Sequence, residues 1–460
     1  MDRRQFSRGA ITALAFAGLA RGVSAWARQD AVGEDGSRRF AYRNQVPGYG
    51  PLKPDPVGLL DLPEGFSYRI VSQLGDRMDD GFRVPDSADG MGAFDLGGGR
   101  IALVRNHELD PDELPKGPAG TEAGRLHGLA AFDHDGDGHA LPGGTTTLVL
   151  DAATLTPVRQ HLSLAGTVRN CAGGTTPWGS WLSCEETVDR CGKAHGWVFE
   201  VPAAASGPVE PVPLTAMGRF RHEAAAVDPR TGIVYMTEDR DESLFYRFLP
   251  DVHGELARGG RLQALGLADA PEGFDTRNWN HVAFPSGTTR AVRWIDLDGV
   301  GSPDDDLRHR GHEAGAALFA RGEGVHWGDG ELYFCCTSGG AAGLGQVMRY
   351  VPSAREGQAG ERDAPGRLTN FVESTDPRLF NFGDNLTVSP WGHLIVCEDQ
   401  YTDITTNHLR GVTPDGKLYT LARHGGQAEF AGACFSPDGR TLFVNIYHPA
   451  KTLAITGPWI

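Results

Sequence analysis

Two stretches far apart in the chain combine the same residue types at the same spacing, and both end in a cysteine followed by two acids. They are TPWGSWLSCEE, from Thr176 to Glu186, and SPWGHLIVCED, from Ser389 to Asp399. Thiols and carboxylates are side chains that hold metal ions or move protons. In each stretch a Pro-Trp-Gly turn precedes a short apolar run, which predicts a tight turn and then a strand with the acid pair at its end.

Four further segments repeat this unit of strand, tight turn, strand and polar end. The glycines of the six turns are Gly99, Gly179, Gly232, Gly330, Gly392 and Gly439. The strand before each turn repeats as well, because one position near its start holds an acid or a cysteine in five of the six copies. Those residues are Asp89, Cys171, Glu223, Glu323 and Asp384, with Ala431 in the sixth copy. The two polar positions of each antiparallel hairpin lie at the same end, so each unit presents both on one rim.

Repetition of a small hairpin unit predicts an all-β fold, a β-propeller of about six blades with long inter-strand loops. The 63 glycines and 29 prolines agree with short strands and many turns. The widest spacing between turn glycines, from Gly232 to Gly330, predicts an insertion. A pair of β-sandwiches or another all-β architecture is the alternative. In a propeller the same position of every blade lines the central channel, so we expect the repeated polar residues to meet at the axis.

The residues predicted to converge form a candidate metal cluster. The set is Cys171, Glu185, Glu186, Glu223, Glu238, Asp239, Glu323, Asp384, Glu398 and Asp399, with Asp89 and Glu108 as possible outer members. So many carboxylates repel one another in one place unless cations bind between them. Groups of oxygen ligands suit calcium or magnesium, whereas a thiolate among carboxylates suits a softer or redox-active metal such as iron. Solvated acids at strand ends are the alternative for any one of them.

Arg321 lies two residues before Glu323 and is the candidate catalytic residue outside the metal ligands. A guanidinium beside a metal cluster can clamp a phosphate, although a salt bridge to one of the acids is the alternative. No Ser or His constellation stands out as a nucleophile, and an oxygen nucleophile activated by a metal would remove the need for one. Four histidines near predicted strand ends could bind a metal or shuttle protons, but a structural role is the favoured interpretation; they are His107, His222, His326 and His448.

The run DHDGDG, which contains Asp133, Asp135 and Asp137, has the start of a calcium-binding loop. Its twelfth position is Gly144 rather than the Glu that such a loop requires. An exposed acidic turn is therefore the favoured interpretation, and a peripheral calcium site is the alternative.

The first 27 residues, MDRRQFSRGAITALAFAGLARGVSAWA, have paired arginines, an Ala- and Leu-rich run and a small-residue cleavage pattern. The apolar run is too short to span a bilayer, so the segment is interpreted as a twin-arginine export signal. Residues 28–460 are expected to form one propeller domain, exported already folded to the periplasm or outside the cell. No stable membrane insertion is expected.

The net charge is −16, and it becomes −19 without residues 1–27, which carry four Arg and one Asp. An acidic chain is a poor partner for nucleic acid, because phosphate backbones bind basic surfaces. The seven cysteines form an odd set, so at least one is outside any intramolecular disulfide and is buried or a metal ligand.

Together these motifs resemble the PhoX-type alkaline phosphatases from about residue 40 to the C-terminus. The segments that carry the resemblance are RRQF, GGTTTLVLD, RNCAGGTTPWGSWLSCEE, FRHEAAAVD, FARGEGVHWGDGELYF, NLTVSPWGHLIVCED and FSPDGRTLFVNIYHP. The resemblance implies a propeller, twin-arginine export, hydrolysis of phosphomonoesters and a buried cluster of Fe(3+) and Ca(2+) ions. The chain is shorter than many members and looks like a compact subfamily.

Residue by residue, the resemblance implies that Cys171, Glu223 and Glu323 hold iron and that Arg321 faces the substrate. It implies that Glu185 and Glu186, Asp384, and the pair Glu398 and Asp399 occupy further cluster positions. The expected partners are a small phosphate ester and the twin-arginine export machinery. The alternatives are a calcium-dependent propeller hydrolase of another bond, a lactonase or phosphotriesterase, and a non-enzymatic propeller with structural calcium.

Overall fold

The computed structural model describes residues 42–400 and 406–459. The predicted export signal, residues 1–27, lies outside the described residues. No helix within the described ranges is long and apolar enough to cross a membrane.

Short strands dominate the described residues, in accordance with the dense Gly and Pro punctuation of the sequence. The strands are β1 (Leu52–Lys53), β2 (Leu60–Pro63), β3 (Ser67–Gln73), β4 (Ala88–Gly97), β5 (Arg100–His107), β6 (Gly143–Asp151), β7 (Pro157–Thr167), β8 (Asn170–Thr175), β9 (Ser180–Glu185), β10 (Val198–Pro202), β11 (His222–Val227), β12 (Val234–Glu238), β13 (Phe245–Pro250), β14 (Gly260–Leu267), β15 (Phe274–Asp275), β16 (Thr289–Asp296), β17 (Ala317–Leu318), β18 (Gly322–Trp327), β19 (Leu332–Cys336), β20 (Gln346–Val351), β21 (Arg367–Glu373), β22 (Gly383–Val388), β23 (Leu394–Glu398), β24 (Asn407–Val412), β25 (Leu418–His424), β26 (Phe430–Phe435), β27 (Thr441–Ile446) and β28 (Lys451–Thr456). The helices are α1 (Leu307–Glu313) and 3₁₀ turns at Pro111–Lys116, Ala123–Leu126, Thr215–Met217, Leu256–Arg258 and Glu361–Asp363.

The larger sheets are antiparallel meanders arranged as a propeller, so the predicted fold class is confirmed, and a small two-stranded sheet of β15 and β17 is parallel. Strands β4, β8, β11, β18, β22 and β26 each begin a meander, and each packs against the next around a closed ring. Sheets and repeat units do not correspond one to one, because β16 joins the meander β11–β14 to the meander β18–β21 in one nine-stranded sheet. The interval between Gly232 and Gly330, predicted to hold an insertion, contains β15, β16, α1 and β17.

The two ends of the described chain close the ring. Strand β3, near the N-terminal end, pairs with β28 as the outer strand of the sheet that starts at β26. Apolar side chains fill the space between neighbouring sheets. Ile395 and Tyr419 of one sheet, for example, belong to the same buried cluster as Leu442 and Leu453 of the next. This packing holds the six inner strands side by side, with their first residues at one end of the axis.

Candidate metal centre

The repeated acid or cysteine is the second residue of its inner strand. This holds for Asp89, Cys171, Glu223, Glu323 and Asp384. In each of these five strands the pairing register shifts directly after the first residue, as in a β-bulge. A bulge bends a strand and re-aims its side chains. The same local irregularity therefore directs the same position of five units toward the axis.

Small residues follow these positions and let neighbouring inner strands approach closely. A Cβ atom on Gly90 would lie 2.5 Å from the Cα of Ala172, and one on Gly324 would lie 2.7 Å from the Cα of Asn385. Real side chains do not tolerate such distances, so glycine is required where the strands converge. The close approach of the strands is what brings the ligand-type residues of neighbouring units within reach of one another.

The residues form three overlapping groups around the axis. In each group one potential ligand atom per residue lies within 4.8 Å of the others. The groups are Asp89, Glu108 and Cys171; Cys171, Glu186 and Glu223; and Glu223, Glu323 and Asp384. Because Cys171 and Glu223 each belong to two groups, the seven residues form one continuous arc, called here the axial arc.

The thiol of Cys171 lies between two carboxylates of the axial arc. Its Sγ is 3.3 Å from Oε1 of Glu223 and 3.5 Å from Oδ2 of Asp89. All three side chains are fully buried. The other predicted ligands are buried as well, the most exposed being Asp239 at 6%. This excludes the alternative in which these acids are solvated at strand ends.

The acid pair at the end of β9 divides between two environments. Glu186 belongs to the axial arc, and its Oε2 accepts a hydrogen bond of 2.9 Å from Nη2 of Arg169. Glu185 points the opposite way and accepts hydrogen bonds from the backbone N–H groups of Val168 and Gly196. Adjacent residues of a strand face opposite sides, which separates the two carboxylates.

The acids at the ends of β12 and β23 repeat this division. Glu238 accepts a hydrogen bond from the Tyr246 hydroxyl at 2.8 Å, and burial raises its pKa to about 7. Glu398 accepts hydrogen bonds from the backbone N–H groups of Asn381 and His408. The structure does not bring Glu185, Glu238 or Glu398 into the axial arc, because alternation along the strand turns them into their own sheets.

Asp239 and Asp399 follow the same strands, one residue later, but they are outside the three groups. Asp239 accepts hydrogen bonds from Nε and Nη2 of Arg321 at 2.7 and 2.9 Å. The Nη2 of Arg321 also donates to Oε1 of Glu323 at 2.9 Å. Arg321 therefore makes the salt bridge that was the alternative to a phosphate clamp, and the bridge holds its guanidinium against the axial arc.

Arg169 is a residue of the site that the sequence reasoning missed. Its Nη2 contacts Oε1 of Glu108 at 3.3 Å in addition to Glu186, so it joins two acids of the axial arc. Arg169 precedes Cys171 by two residues, as Arg321 precedes Glu323. Both arginines have a positive φ, 50° for Arg169 and 52° for Arg321. This backbone conformation is strained for a residue with a side chain, so the surrounding contacts must hold both residues in it. The shared spacing was the available signal.

Two more residues occupy positions that repeat between the units. Arg221 precedes Glu223 by two residues, as the other two arginines precede their ligands. Tyr447 follows β27 as Glu186 follows β9, and its hydroxyl donates a hydrogen bond of 2.8 Å to Oε2 of Glu108. The sixth unit thus contributes a phenol where other units contribute a carboxylate.

The histidines near strand ends have structural partners. His107 is hydrogen-bonded to the carbonyl of Asp86 and the hydroxyl of Thr146, both at 2.9 Å. Burial lowers the pKa of His222 to about 3 and that of His326 to about 4. Such side chains are neutral at physiological pH and add no positive charge to the centre.

The axial arc contains six carboxylates and one thiol, and the cations paired with it in the described part of the chain include Arg169 and Arg321. Buried carboxylates this close together repel one another, so the site favours the binding of further cations. Below the arc, a cavity of about 240 Å³ runs along the axis and is lined by all six inner strands. The arrangement is suited to holding several metal ions and an anionic ligand.

Comparisons with known proteins bear on this centre. A sequence model of the alkaline phosphatase PhoX family matches residues 47–450. Among solved structures, PhoX of Pseudomonas fluorescens in complex with vanadate, a transition-state analogue, is similar with a TM-score of 0.66 and 18% identity, covering 91% of this chain and 98% of that chain. A gluconolactonase of Xanthomonas campestris gives a TM-score of 0.40 and 14% identity, covering 90% of this chain and 100% of that chain. No curated protein sequence matches the chain.

Proposed function

Because the chain belongs to the PhoX family of alkaline phosphatases, and is thus a phosphoric monoester hydrolase, we propose that it acts through iron and calcium ions held by the axial arc. The observation that carries the proposal is the sharing of Cys171 and Glu223 between neighbouring ligand groups. Shared ligands can bridge ions, so the arc is suited to a cluster rather than to a single ion.

The ligand types favour different ions in different parts of the axial arc. The two groups that contain the Cys171 thiol combine a soft ligand with carboxylates, which suits iron. The group of Glu223, Glu323 and Asp384 offers oxygen atoms alone, which suits calcium. We assign Fe(3+) to the part around Cys171 and Ca(2+) to the part around Asp384. This assignment differs from the one implied by the resemblance in placing Glu323 at the calcium end of the arc.

Bound cations would neutralise phosphate oxygens and supply Lewis-acid activation of water. Arg321 would bind a phosphate oxygen, since the carboxylates of Asp239 and Glu323 fix the plane of its guanidinium beside the arc. Arg169 would act as a positioning residue that holds Glu108 and Glu186 at their places. The carboxylates of the axial arc are themselves shielded from bulk water.

Export remains part of the proposal. The paired arginines and the short apolar run of residues 1–27 support recognition by the twin-arginine machinery. Residues 28–460 would then be the mature domain, located in the periplasm or outside the cell. Production of the full chain in a host with and without that pathway tests this, because export should depend on it and on Arg3 and Arg4 together.

The direct test of function uses the full chain and three substrates of one size. An aryl phosphomonoester should be hydrolysed, whereas an aryl phosphodiester and a lactone should be hydrolysed more slowly by about 100-fold or more. Chelation should abolish the activity, and iron plus calcium should restore it. Preference for the lactone with calcium alone would replace the proposal by a lactonase, and turnover that survives chelation would contradict metal catalysis.

A further inference from the structure

A second group of ligand-type residues lies apart from the axial arc. It consists of Asp133, Cys191 and His195, whose potential ligand atoms lie within 4.8 Å of one another. Cys191 and His195 belong to the loop between β9 and β10, and Asp133 belongs to the loop before β6. The group combines oxygen, sulfur and nitrogen ligands, which is typical of zinc sites and not of calcium sites.

Hydrogen bonds fix the loop around the carboxylate of Asp133. Its Oδ2 accepts hydrogen bonds from the backbone N–H groups of Gly192 and Lys193, at 2.8 and 2.7 Å. The carbonyl of His195 accepts a hydrogen bond of 2.7 Å from Nε of Arg219. These contacts hold Cys191 and His195 on the same side of the loop, facing Asp133, so the three ligands are already in place.

His195 is oriented by a carboxylate that takes no other part in the group. Its Nδ1 lies 2.6 Å from Oε1 of Glu185, and its Nε2 faces Oδ2 of Asp133 at 3.1 Å. Histidine ligands of metals commonly donate one ring N–H to a carboxylate while the other nitrogen binds the ion. Glu185 provides that carboxylate, and its backbone hydrogen bonds to Val168 and Gly196 hold it rigidly.

We propose that Asp133, Cys191 and His195 bind a divalent cation of the zinc class, through the carboxylate of Asp133, the thiolate of Cys191 and Nε2 of His195. Cys191 is partly exposed, which gives the ion a path of entry and leaves a fourth position for water. Binding of the ion in exchange for protons conserves the charge of the group. The divalent ion displaces one proton from His195 Nε2 and one from the Cys191 thiol, so the net charge of the group does not change.

The first experiment titrates Co²⁺, as a spectroscopic probe, into the full chain with its axial metals bound. The wild type should bind about one equivalent with thiolate-to-cobalt absorption in the near ultraviolet. The variant Cys191→Ser should lose this absorption, and the matched control Cys335→Ser, a buried cysteine in the core between two sheets, should retain it. Absorption that persists in Cys191→Ser would overturn the proposal.

Two further measurements keep the proposal testable if a variant fails to fold. In the wild type, Zn²⁺ should protect Cys191 from alkylation by iodoacetamide, as read by mass spectrometry, and unchanged alkylation would overturn the proposal. The variant Glu185→Gln should bind Co²⁺ about 10- to 100-fold more weakly, because the orientation of His195 is lost. Equal affinity in that variant would exclude the orienting role.

Discussion

The stretches Thr176–Glu186 and Ser389–Asp399 share the Pro-Trp-Gly turn, the cysteine and the acid that follows it, and both form a turn and a strand, but they differ in chemistry. In both, the last acid of the strand pairs with the first residue of the inner strand, as Glu185 does with Asn170 and Glu398 with Gly383. That acid turns into its own sheet and binds backbone N–H groups. The next acid follows the strand in both units. Of these two following acids, Glu186 belongs to a group of potential metal ligands in the described residues, and Asp399 does not.

The two following acids differ because of the residues that surround them and not because of the stretches to which they belong. Glu186 meets Arg169 and Cys171, which precede it in the same unit. At the position of Arg169 the other unit has Phe382, which offers no charge to Asp399. Local sequence therefore determines the turn, the strand and the direction of each acid, while residues on adjoining strands determine whether that acid can hold a metal.

The largest expected difference between the two stretches is in turnover. Glu186→Gln should lower kcat/KM for an aryl phosphate by about 100-fold or more, because it removes a charged ligand that Arg169 positions. Asp399→Asn should lower it by less than about 10-fold. Steady-state kinetics of the two variants measure this, and equal losses would show that the two acids have equivalent roles.

A second comparison concerns the residue two positions before the repeated acid, which is Arg321 before Glu323 and Phe382 before Asp384. Arg321→Lys should raise the KM for an aryl phosphate by about 10-fold, because a lysine cannot keep both hydrogen bonds to Asp239. Phe382→Leu changes the equivalent position in the repeat unit of the second stretch and should leave the KM within about 2-fold. An unchanged KM in Arg321→Lys would assign Arg321 to structure alone.

Glu398, the acid of the second stretch that turns into its sheet, should affect stability and not turnover. Glu398→Gln should lower the free energy of unfolding by about 1–3 kcal/mol, because an amide cannot accept all the hydrogen bonds that Glu398 receives. Urea unfolding of this variant beside Asp399→Asn tests the contrast. A larger loss of stability in Asp399→Asn would reverse the assignment of the two acids.

The smallest expected effect is a change in pH dependence. Burial raises the pKa of Glu238 to about 7 in the folded chain, above its ordinary value of 4.5. The folded state thus binds this proton more tightly than the unfolded state, and stability decreases as the pH rises from about 4.5 to about 7. Glu238→Gln should make the urea midpoint depend less on pH over this range. An identical pH profile in the variant would show that a group other than Glu238 causes the pH dependence.

The repeat made much of the architecture predictable from sequence. Turn glycines and the second residue of each inner strand gave the propeller and the convergence of Asp89, Cys171 and Glu223. The direction of each side chain near a bulge could not be predicted from the repeat. Both acids of each pair were therefore predicted to lie at the centre, although Glu185 turns away from it. A bulge has no sequence signature here except small residues such as Gly90.

Other features depend on contacts between distant segments and were missed for that reason. Arg169 becomes part of the site through Glu108, which lies 61 positions away. Asp133 was interpreted as part of an exposed acidic turn, which fits Asp135 and Asp137 but not the buried Asp133. Its partners Cys191 and His195 are far along the chain, and their spacing of four residues was the available signal.

The most direct test of the account is the metal content of the full chain, isolated after export, in the wild type and in Cys171→Ala. Elemental analysis should find both iron and calcium in the wild type. Cys171→Ala should lose the iron and the phosphatase activity together while its circular dichroism spectrum is retained. Full activity in a wild-type chain without iron, or iron and activity that survive in Cys171→Ala, would contradict a cluster built on the axial arc.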